Sequence, residues 1–182
     1  MREIITNPIF IQILGFVGLL FYALSYQIRE NRKLFLAQFV GNLVFAVQFL
    51  LLGGGAGALE LVVCMVRNIV LAKMSTSAWA RWKGWVVIFS LLFIGAGMLT
   101  WTGPKDLLPI IACVSCTVAY WTDNARNIRV INLFCASPCW MTYDIIVGSM
   151  GGLANELITI TSVIISIIRY GWKALGEPQK ER

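Results

Sequence analysis

Apolar residues occur along this chain in long runs that short breaks separate. Runs of about 16 to 20 apolar residues have the length that a helix needs to cross ~30 Å of hydrocarbon. The pattern predicts seven membrane-spanning helices, at 8–27, 34–52, 57–73, 84–102, 107–122, 130–147 and 153–172. We therefore expect an all-α membrane protein with a single transmembrane domain over residues 1–182.

The breaks between the runs are of two kinds. Two of them, 53–57 (GGGAG) and 148–152 (GSMGG), are uncharged and glycine-rich, and glycine interrupts a continuous helix. The others carry charge, and short loops rich in Lys and Arg stay cytoplasmic. With seven spans and the N-terminus outside, 12 of the 15 basic residues fall on the cytoplasmic face and two on the outer face. The expected orientation therefore has the N-terminus outside and the C-terminus in the cytoplasm.

Two segments of the chain look duplicated. Residues 8–73 align with residues 105–169 when one residue is inserted at the second glycine-rich break. The aligned pairs include Arg29 with Arg126, Arg32 with Arg129, Glu60 with Glu156, and Lys73 with Arg169. A chance alignment of membrane helices that end in a basic residue is the alternative explanation.

The duplication predicts a 3+1+3 organisation. The first three-helix repeat is 8–73, a linker helix follows at 84–102, and the second repeat is 105–172. A unit with an odd number of spans would be inverted in its second copy, but the linker helix returns the chain to the outer face. The two repeats are then parallel and related by an axis along the membrane normal, as in some transporters.

Composition narrows the functional classes. Hydrophobic residues make up 58% of the chain and charged residues 13%, with a net charge of +6 and no histidine. The basic residues lie between apolar runs and form no continuous stripe, so we do not expect nucleic acid binding. Without histidine or a phosphate-binding glycine loop, we expect neither an enzyme nor ATP coupling, and no cofactor or metal. Cys113-x-x-Cys116 is the one redox or metal pattern, but cysteines in apolar runs more often serve as small apolar residues.

Four ionisable residues fall inside predicted spans, where charge is costly: Glu60, Arg67, Asp144 and Glu156. The repeat places Glu60 and Glu156 at equivalent positions, so we expect them to face each other and, with Asp144, to form an acidic outer vestibule. The alternative is that both glutamates only complement helix dipoles. Arg67 lies seven residues after Glu60, on the same helix face, and would pair with Glu60 or Asp144 or bind an anionic group of a solute.

Neutral residues add candidates for the solute site and its hinges. Asn42 and Asn68 are polar groups in apolar spans, and each would bind solute or only bond between helices. Trp140 lies near mid-span, two residues after Pro138, and is a candidate wall of the site. Pro138 and the aligned Gly41 give each repeat a flexible point.

Several motifs resemble known membrane protein families. The 3+1+3 layout resembles the SWEET sugar transporters and the related PnuC-type vitamin transporters, and residues 24–29 (LSYQIR) lie where PQ-loop proteins carry a Pro-Gln pair. Tyr26 replaces the proline here, while Gln27 matches and is a candidate hinge residue. In SWEET-like proteins the solute lies between the third and seventh spans, and this resemblance implies solute contacts for Asn68, Thr159 and Ser162.

The chain is also similar over nearly its whole length to the YgjV family of bacterial inner membrane proteins. The residues that carry this likeness are Val66-Arg67, 106–111 (DLLPII), 148–152 with Glu156, and 167–169 (IIR). The resemblance implies a multi-pass protein of the bacterial inner membrane.

These patterns together predict a SWEET-like transporter that moves a small solute by alternating access. The solute would be a sugar, polyol, amine or vitamin-like molecule, moved by facilitated diffusion or with a proton carried by Glu60 or Glu156. The alternative is a non-transporting inner-membrane subunit or a lipid-interacting protein. Membrane lipids are the expected partners, and residues 95–97 (GAG) indicate close helix packing within one chain or in a homo-oligomer.

Overall fold

The computed structural model describes residues 7–25, 28, 31–122 and 124–170, which contain seven long helices and two short 3₁₀ helices, Ala78–Arg81 and Pro104–Asp106. The long helices are α1 (Pro8–Ser25), α2 (Asn31–Leu51), α3 (Gly55–Leu71), α4 (Gly84–Leu99), α5 (Leu107–Tyr120), α6 (Ala125–Ile131 and Ser137–Val147, joined by a π-helical turn at Asn132–Ala136) and α7 (Met150–Tyr170). The all-α prediction is confirmed, and each helix lies on one predicted run. Gln27 lies outside the described residues.

Four of these helices are long and apolar enough to cross a membrane: Pro8–Ser25, Lys33–Leu51, Arg126–Val147 and Met150–Arg169. The linker helix Gly84–Leu99 is apolar but shorter. Seven crossings therefore remain a prediction for the chain as a whole.

Glycine ends the second and sixth helices. Gly53 has a φ of 77° and Gly148 a φ of 84°, a left-handed conformation that glycine adopts without strain from a Cβ. After Gly148 the chain turns back at once, because the Gly148 and Ser149 N–H groups both donate to the Asp144 carbonyl, at 2.8 and 2.9 Å. Both glycine-rich breaks lie at one end of the bundle, called the hinge end, and the basic segments 73–83 and 124–129 lie at the other, called the basic end.

A π-helical turn interrupts α6 directly before Pro138. Proline has no N–H, so the carbonyl four residues earlier, that of Phe134, loses its α-helical partner. The helix widens over Asn132–Ala136, where the Ser137 N–H donates to the Asn132 carbonyl, five residues back. The helix type therefore changes next to Pro138, where the sequence predicts a flexible point, and Asn132 and Ala136 of this turn line the interior.

The helices pack as a closed ring with one helix outside it. Along the ring α1 contacts α2, α2 contacts α3, α3 contacts α5, α5 contacts α6, α6 contacts α7, and α7 returns to α1. The linker helix α4 packs on α3 and α5. The α1–α7 crossing is close, because a Cβ on Gly151 would lie 2.2 Å from the Gly15 carbonyl carbon.

Candidate functional site

A cavity of about 130 Å³ lies inside the ring, between the two apolar clusters that hold the helices together. It has room for several water molecules or one small solute. Six predicted solute-binding residues line it: Asn42, Arg67, Asn68, Trp140, Glu156 and Thr159. Its other polar lining residues are Tyr22, Gln38, Cys64, Cys113, Cys116, Tyr120, Asn132, Ser137 and Asn155.

Arg67 is the cation of this cavity and is only 6% exposed. Its Nη1 donates to the Thr117 hydroxyl at 3.0 Å and to the Cys113 carbonyl at 3.3 Å, and its Nη2 donates to Cys64 Sγ at 3.4 Å. The guanidinium also lies over the rings of Phe93 and Tyr120, 5.4 and 5.1 Å from their centroids. None of these neighbours is a carboxylate, so Arg67 is held in place by a hydroxyl, a carbonyl, a sulfur atom and two ring faces.

Glu156 is the acidic group of the same cavity. Its Oε1 accepts a hydrogen bond of 3.2 Å from the Asn155 amide, and the Ser137 hydroxyl lies beside the same carboxylate. One basic and one acidic side chain therefore line the cavity, from α3 and α7.

Carboxamides supply most of the remaining polar wall. Asn42 accepts a hydrogen bond from the Tyr22 hydroxyl, and Asn132 accepts one of 3.3 Å from the Cys116 thiol. These contacts occupy the amide oxygens and leave the NH₂ groups of both side chains for an occupant of the cavity.

Trp140 forms an aromatic wall with two neighbours. Its indole stacks on Phe49, with the ring centroids 6.0 Å apart and the planes at 8°, and it meets Tyr143 edge to face at 6.0 Å. The stacking fixes the orientation of the indole, which presents a rigid apolar surface at the cavity.

Hydrogen bonds between helices close the hinge end of the bundle. Gln12 on α1 donates to the Gly148 carbonyl at 2.8 Å and accepts from the Met150 N–H at 3.0 Å. Below it, the Ser149 hydroxyl donates to Gln48 on α2 at 3.0 Å. These three hydrogen bonds join α1 and α2 to the turn before α7 and its first residue.

A further hydrogen bond joins α3 to α6. The Gly57 N–H donates to the Tyr143 hydroxyl at 2.9 Å. This N–H lies in the first turn of α3, where the helix itself provides no acceptor. Tyr143, which is fully buried, therefore caps a helix on the other side of the cavity.

Two of the predicted solute-binding residues lie outside this cavity. Glu60 is fully buried against the linker helix α4, where a Cβ on Gly97 would be 3.2 Å from its Oε1. Among the described residues neither carboxylate oxygen of Glu60 has a hydrogen-bond partner, and Glu60 forms no ion pair with Arg67. Ser162 lines a separate surface groove with Arg129 and Ser166.

The remaining predicted residues support the cavity from behind. Asp144 is buried beside Gly152, within electrostatic range of Glu156, and its Oδ1 has no hydrogen-bond partner. Gly41 is covered by the Tyr22 ring, which a Cβ would approach to 2.7 Å. Gly41 thus provides space for Tyr22, which reaches the cavity.

Sequence reasoning missed several lining residues. Gln38 had a usable signal, because it lies four residues before Asn42 on the same face of α2. Cys64 and Cys113 had none, since thiols in apolar runs resemble ordinary core residues. The sulfur atoms of these two free cysteines lie 3.6 Å apart, so Cys113 contacts Cys64 and not its sequence neighbour Cys116.

Within the described ranges, no three His, Cys, Asp or Glu side chains are grouped as metal ligands.

Comparison with known proteins places the chain in a family. Residues 9–173 match Imp-YgjV, described as a bacterial inner membrane protein. The chain is 25% identical over 159 residues to the inner membrane protein YgjV of Escherichia coli (strain K12), and the match covers 87% of this chain and 82% of that protein. No solved structure matches the chain. With several candidate spans, it is a protein of the bacterial inner membrane, and it belongs to the YgjV family.

Proposed function

We propose that this protein transports a small solute across the inner membrane by alternating access. The observation that carries the proposal is a polar cavity, with a buried arginine, inside a bundle of apolar helices. Buried charge is costly in a membrane and usually marks a pathway for a substrate or ion. Packing alone does not require a cavity lined by a cation, a carboxylate and four asparagines.

The helix contacts support two parallel three-helix units, α1–α3 and α5–α7. Under the duplication α1 corresponds to α5, and α3 corresponds to α7. A two-fold axis along the membrane normal would then exchange the α1–α7 contact with the α3–α5 contact, and both contacts are present. This is the arrangement expected of a SWEET-like protein, with the cavity between the units and α4 as the linker.

The hydrogen bonds at the hinge end support a state that is closed on that side. Arg67 lies 12 residues into α3 and four residues from its end, so at 1.5 Å per residue it is ~18 Å from the hinge end and ~6 Å from the basic end. With the orientation that the basic residues predict, the hinge end faces outward. We therefore assign this state as outward-closed, with the cavity nearer the cytoplasm.

The simplest transport mechanism is facilitated diffusion. The alternative mechanism is transport coupled to a proton that Glu60 or Glu156 carries. Among the described residues Glu60 is a fully buried carboxyl group without a hydrogen-bond partner, which is a suitable proton carrier.

Large apolar side chains on the outer surface, such as Leu99 and Ile168, would contact lipid. Gly97 packs on Ile110 of α5, so this part of the small-residue run already serves packing within the chain.

Uptake by proteoliposomes tests the proposal. Purified protein would be screened against radiolabelled sugars, polyols, amines, carboxylates and vitamins. Single changes of Arg67, Asn68 and Trp140 to alanine should reduce uptake, and Arg67→Ala by about tenfold or more, because hydrogen bonds to charged groups contribute ~1.5–3 kcal/mol.

Thr161→Ala is the matched control. Its hydroxyl is exposed and bonds to the Leu157 carbonyl of its own helix, at 2.8 Å, so uptake should be unchanged. Full uptake by all three cavity variants would refute this site. If no solute is taken up by well-folded protein, the chain is a non-transporting membrane subunit.

A further inference from the structure

Arg67 is a buried cation that forms no ion pair with a carboxylate among the described residues. The structure describes four carboxylates, those of Glu60, Asp106, Asp144 and Glu156, and none of them forms an ion pair with it. Removing a guanidinium from water costs several kcal/mol unless an opposite charge or strong acceptors compensate. The hydroxyl, carbonyl, thiol and two rings around it compensate in part, so the site is incomplete in electrostatic terms.

One edge of the guanidinium indicates what would complete it. Nη1 is occupied by Thr117 and Cys113, whereas among the described residues the buried Nε has no partner and Nη2 has only the weakly accepting Cys64 sulfur. Nε and Nη2 form the side of the guanidinium that holds a carboxylate by two parallel hydrogen bonds. A planar monoanion therefore fits Arg67 better than a neutral hydroxyl compound does.

The other end of the cavity selects a hydrogen-bond donor. Glu156 lies six residues into α7, and Arg67 lies 12 residues into α3, and both helices start at the hinge end. At 1.5 Å per residue the Cα atoms of the two residues are thus ~9 Å apart along the bundle. In its ionised form Glu156 accepts hydrogen bonds or pairs with a cation, so the group that fits it is a hydroxyl or an ammonium. A dianion such as phosphate is disfavoured, because Arg67 neutralises only one of its two negative charges and an ionised Glu156 repels it.

We infer that the solute of this cavity is a small hydroxy- or amino-carboxylate, with its carboxylate on Arg67 and its donor group toward Glu156. The inference rests on the proposed function, because it names the class of solute that the cavity would carry. The carboxamides of Asn42, Asn68 and Asn155 line the same cavity as Arg67 and Glu156, and its volume of about 130 Å³ has room for a solute of this size.

Matched pairs of compounds test the inference on the unmodified protein. Glycerate would be compared with glycerol, and 4-aminobutyrate with 4-aminobutanol, at equal ionic strength. Thermal stabilisation of the full-length protein in detergent gives the dissociation constants. Each carboxylate should bind about 10- to 100-fold more tightly than its neutral or cationic partner, the range expected for charge-assisted hydrogen bonds.

Arginine variants assign the preference to one side chain. Arg67→Gln should remove the preference for the carboxylate, and Arg67→Lys should retain part of it because the charge is kept. Arg81→Gln is the matched control, since Arg81 is exposed on the short helix Ala78–Arg81 and should leave the preference unchanged.

The outcomes separate this inference from transport itself. Equal binding of both members of each pair, or no binding by any of the four compounds, overturns the inference. Uptake of a sugar or polyol without carboxylate binding overturns it too, and leaves the transporter proposal intact. Preferential carboxylate binding without uptake in proteoliposomes supports the inference and contradicts transport.

Discussion

Replacing Gln12 by alanine would remove two of the hydrogen bonds that close the hinge end. One joins Gln12 Nε2 to the Gly148 carbonyl at 2.8 Å, and the other joins the Met150 N–H to Gln12 Oε1 at 3.0 Å. A hydrogen bond contributes ~0.5–1.5 kcal/mol net, so the closed state should lose about 1–3 kcal/mol relative to the open one. That difference shifts the ratio of open to closed protein by about 5- to 150-fold.

Labelling of Cys64 measures this shift. Cys64 lines the cavity, and the other four cysteines can be replaced by alanine. A membrane-impermeant maleimide added outside intact cells should then label Cys64 about 5- to 150-fold faster in Gln12→Ala. Thr161→Ala loses a hydrogen bond within one helix and should label at the original rate. An unchanged or slower rate in folded Gln12→Ala protein would refute the idea that Gln12 closes the cavity from outside.

Three further predictions follow from close contacts between helices. In a chain cut between α3 and α4, copper phenanthroline should join the two fragments by a Cys64–Cys113 disulfide, because these sulfurs are 3.6 Å apart. Non-reducing gels should show one joined band, and separate fragments for Cys113→Ala. Tyr143→Phe removes the acceptor of an N–H in the first turn of α3 and should lower the free energy of unfolding by about 1–3 kcal/mol in a denaturant titration, where an unchanged value would argue against the bond. Gly151→Val places a Cβ against the α1 backbone and should abolish monodisperse protein in size-exclusion chromatography, whereas Gly95→Val, with open space around it, should behave normally.

The sequence predicts the helices well because their signals are local. Gly53 and Gly148 end α2 and α6 through left-handed conformations that glycine favours, and this tendency is legible in the residue type alone. Pro138 likewise predicts a defect in α6. Its form, a π-helical turn over Asn132–Ala136, depends on how the freed carbonyls find new partners, so it was not predictable.

The lining of the cavity was predicted in part because buried polar residues are conspicuous in apolar spans. Asn42, Arg67 and Trp140 stand out in this way, and they line one cavity. Glu60 is equally conspicuous but faces the linker helix α4, because the small Gly97 lets α4 approach α3 at the level of Glu60. A helical spacing of seven places Glu60 and Arg67 on one face, but the neighbour of that face changes along the helix, and only the tertiary packing determines it.

Alternating access requires the two proposed three-helix units, α1–α3 and α5–α7, to move in opposition. Spin labels at Ile9 and Ile146 report on the hinge end, and labels at Lys73 and Thr122 report on the basic end; in each pair one exposed residue lies on or beside each unit. Pulsed electron resonance in lipid bilayers would compare an otherwise unaltered chain with Gln12→Ala. Alternating access predicts that in Gln12→Ala the hinge-end distance lengthens while the basic-end distance shortens. Distances that stay fixed, or that change in the same direction, would contradict alternating access.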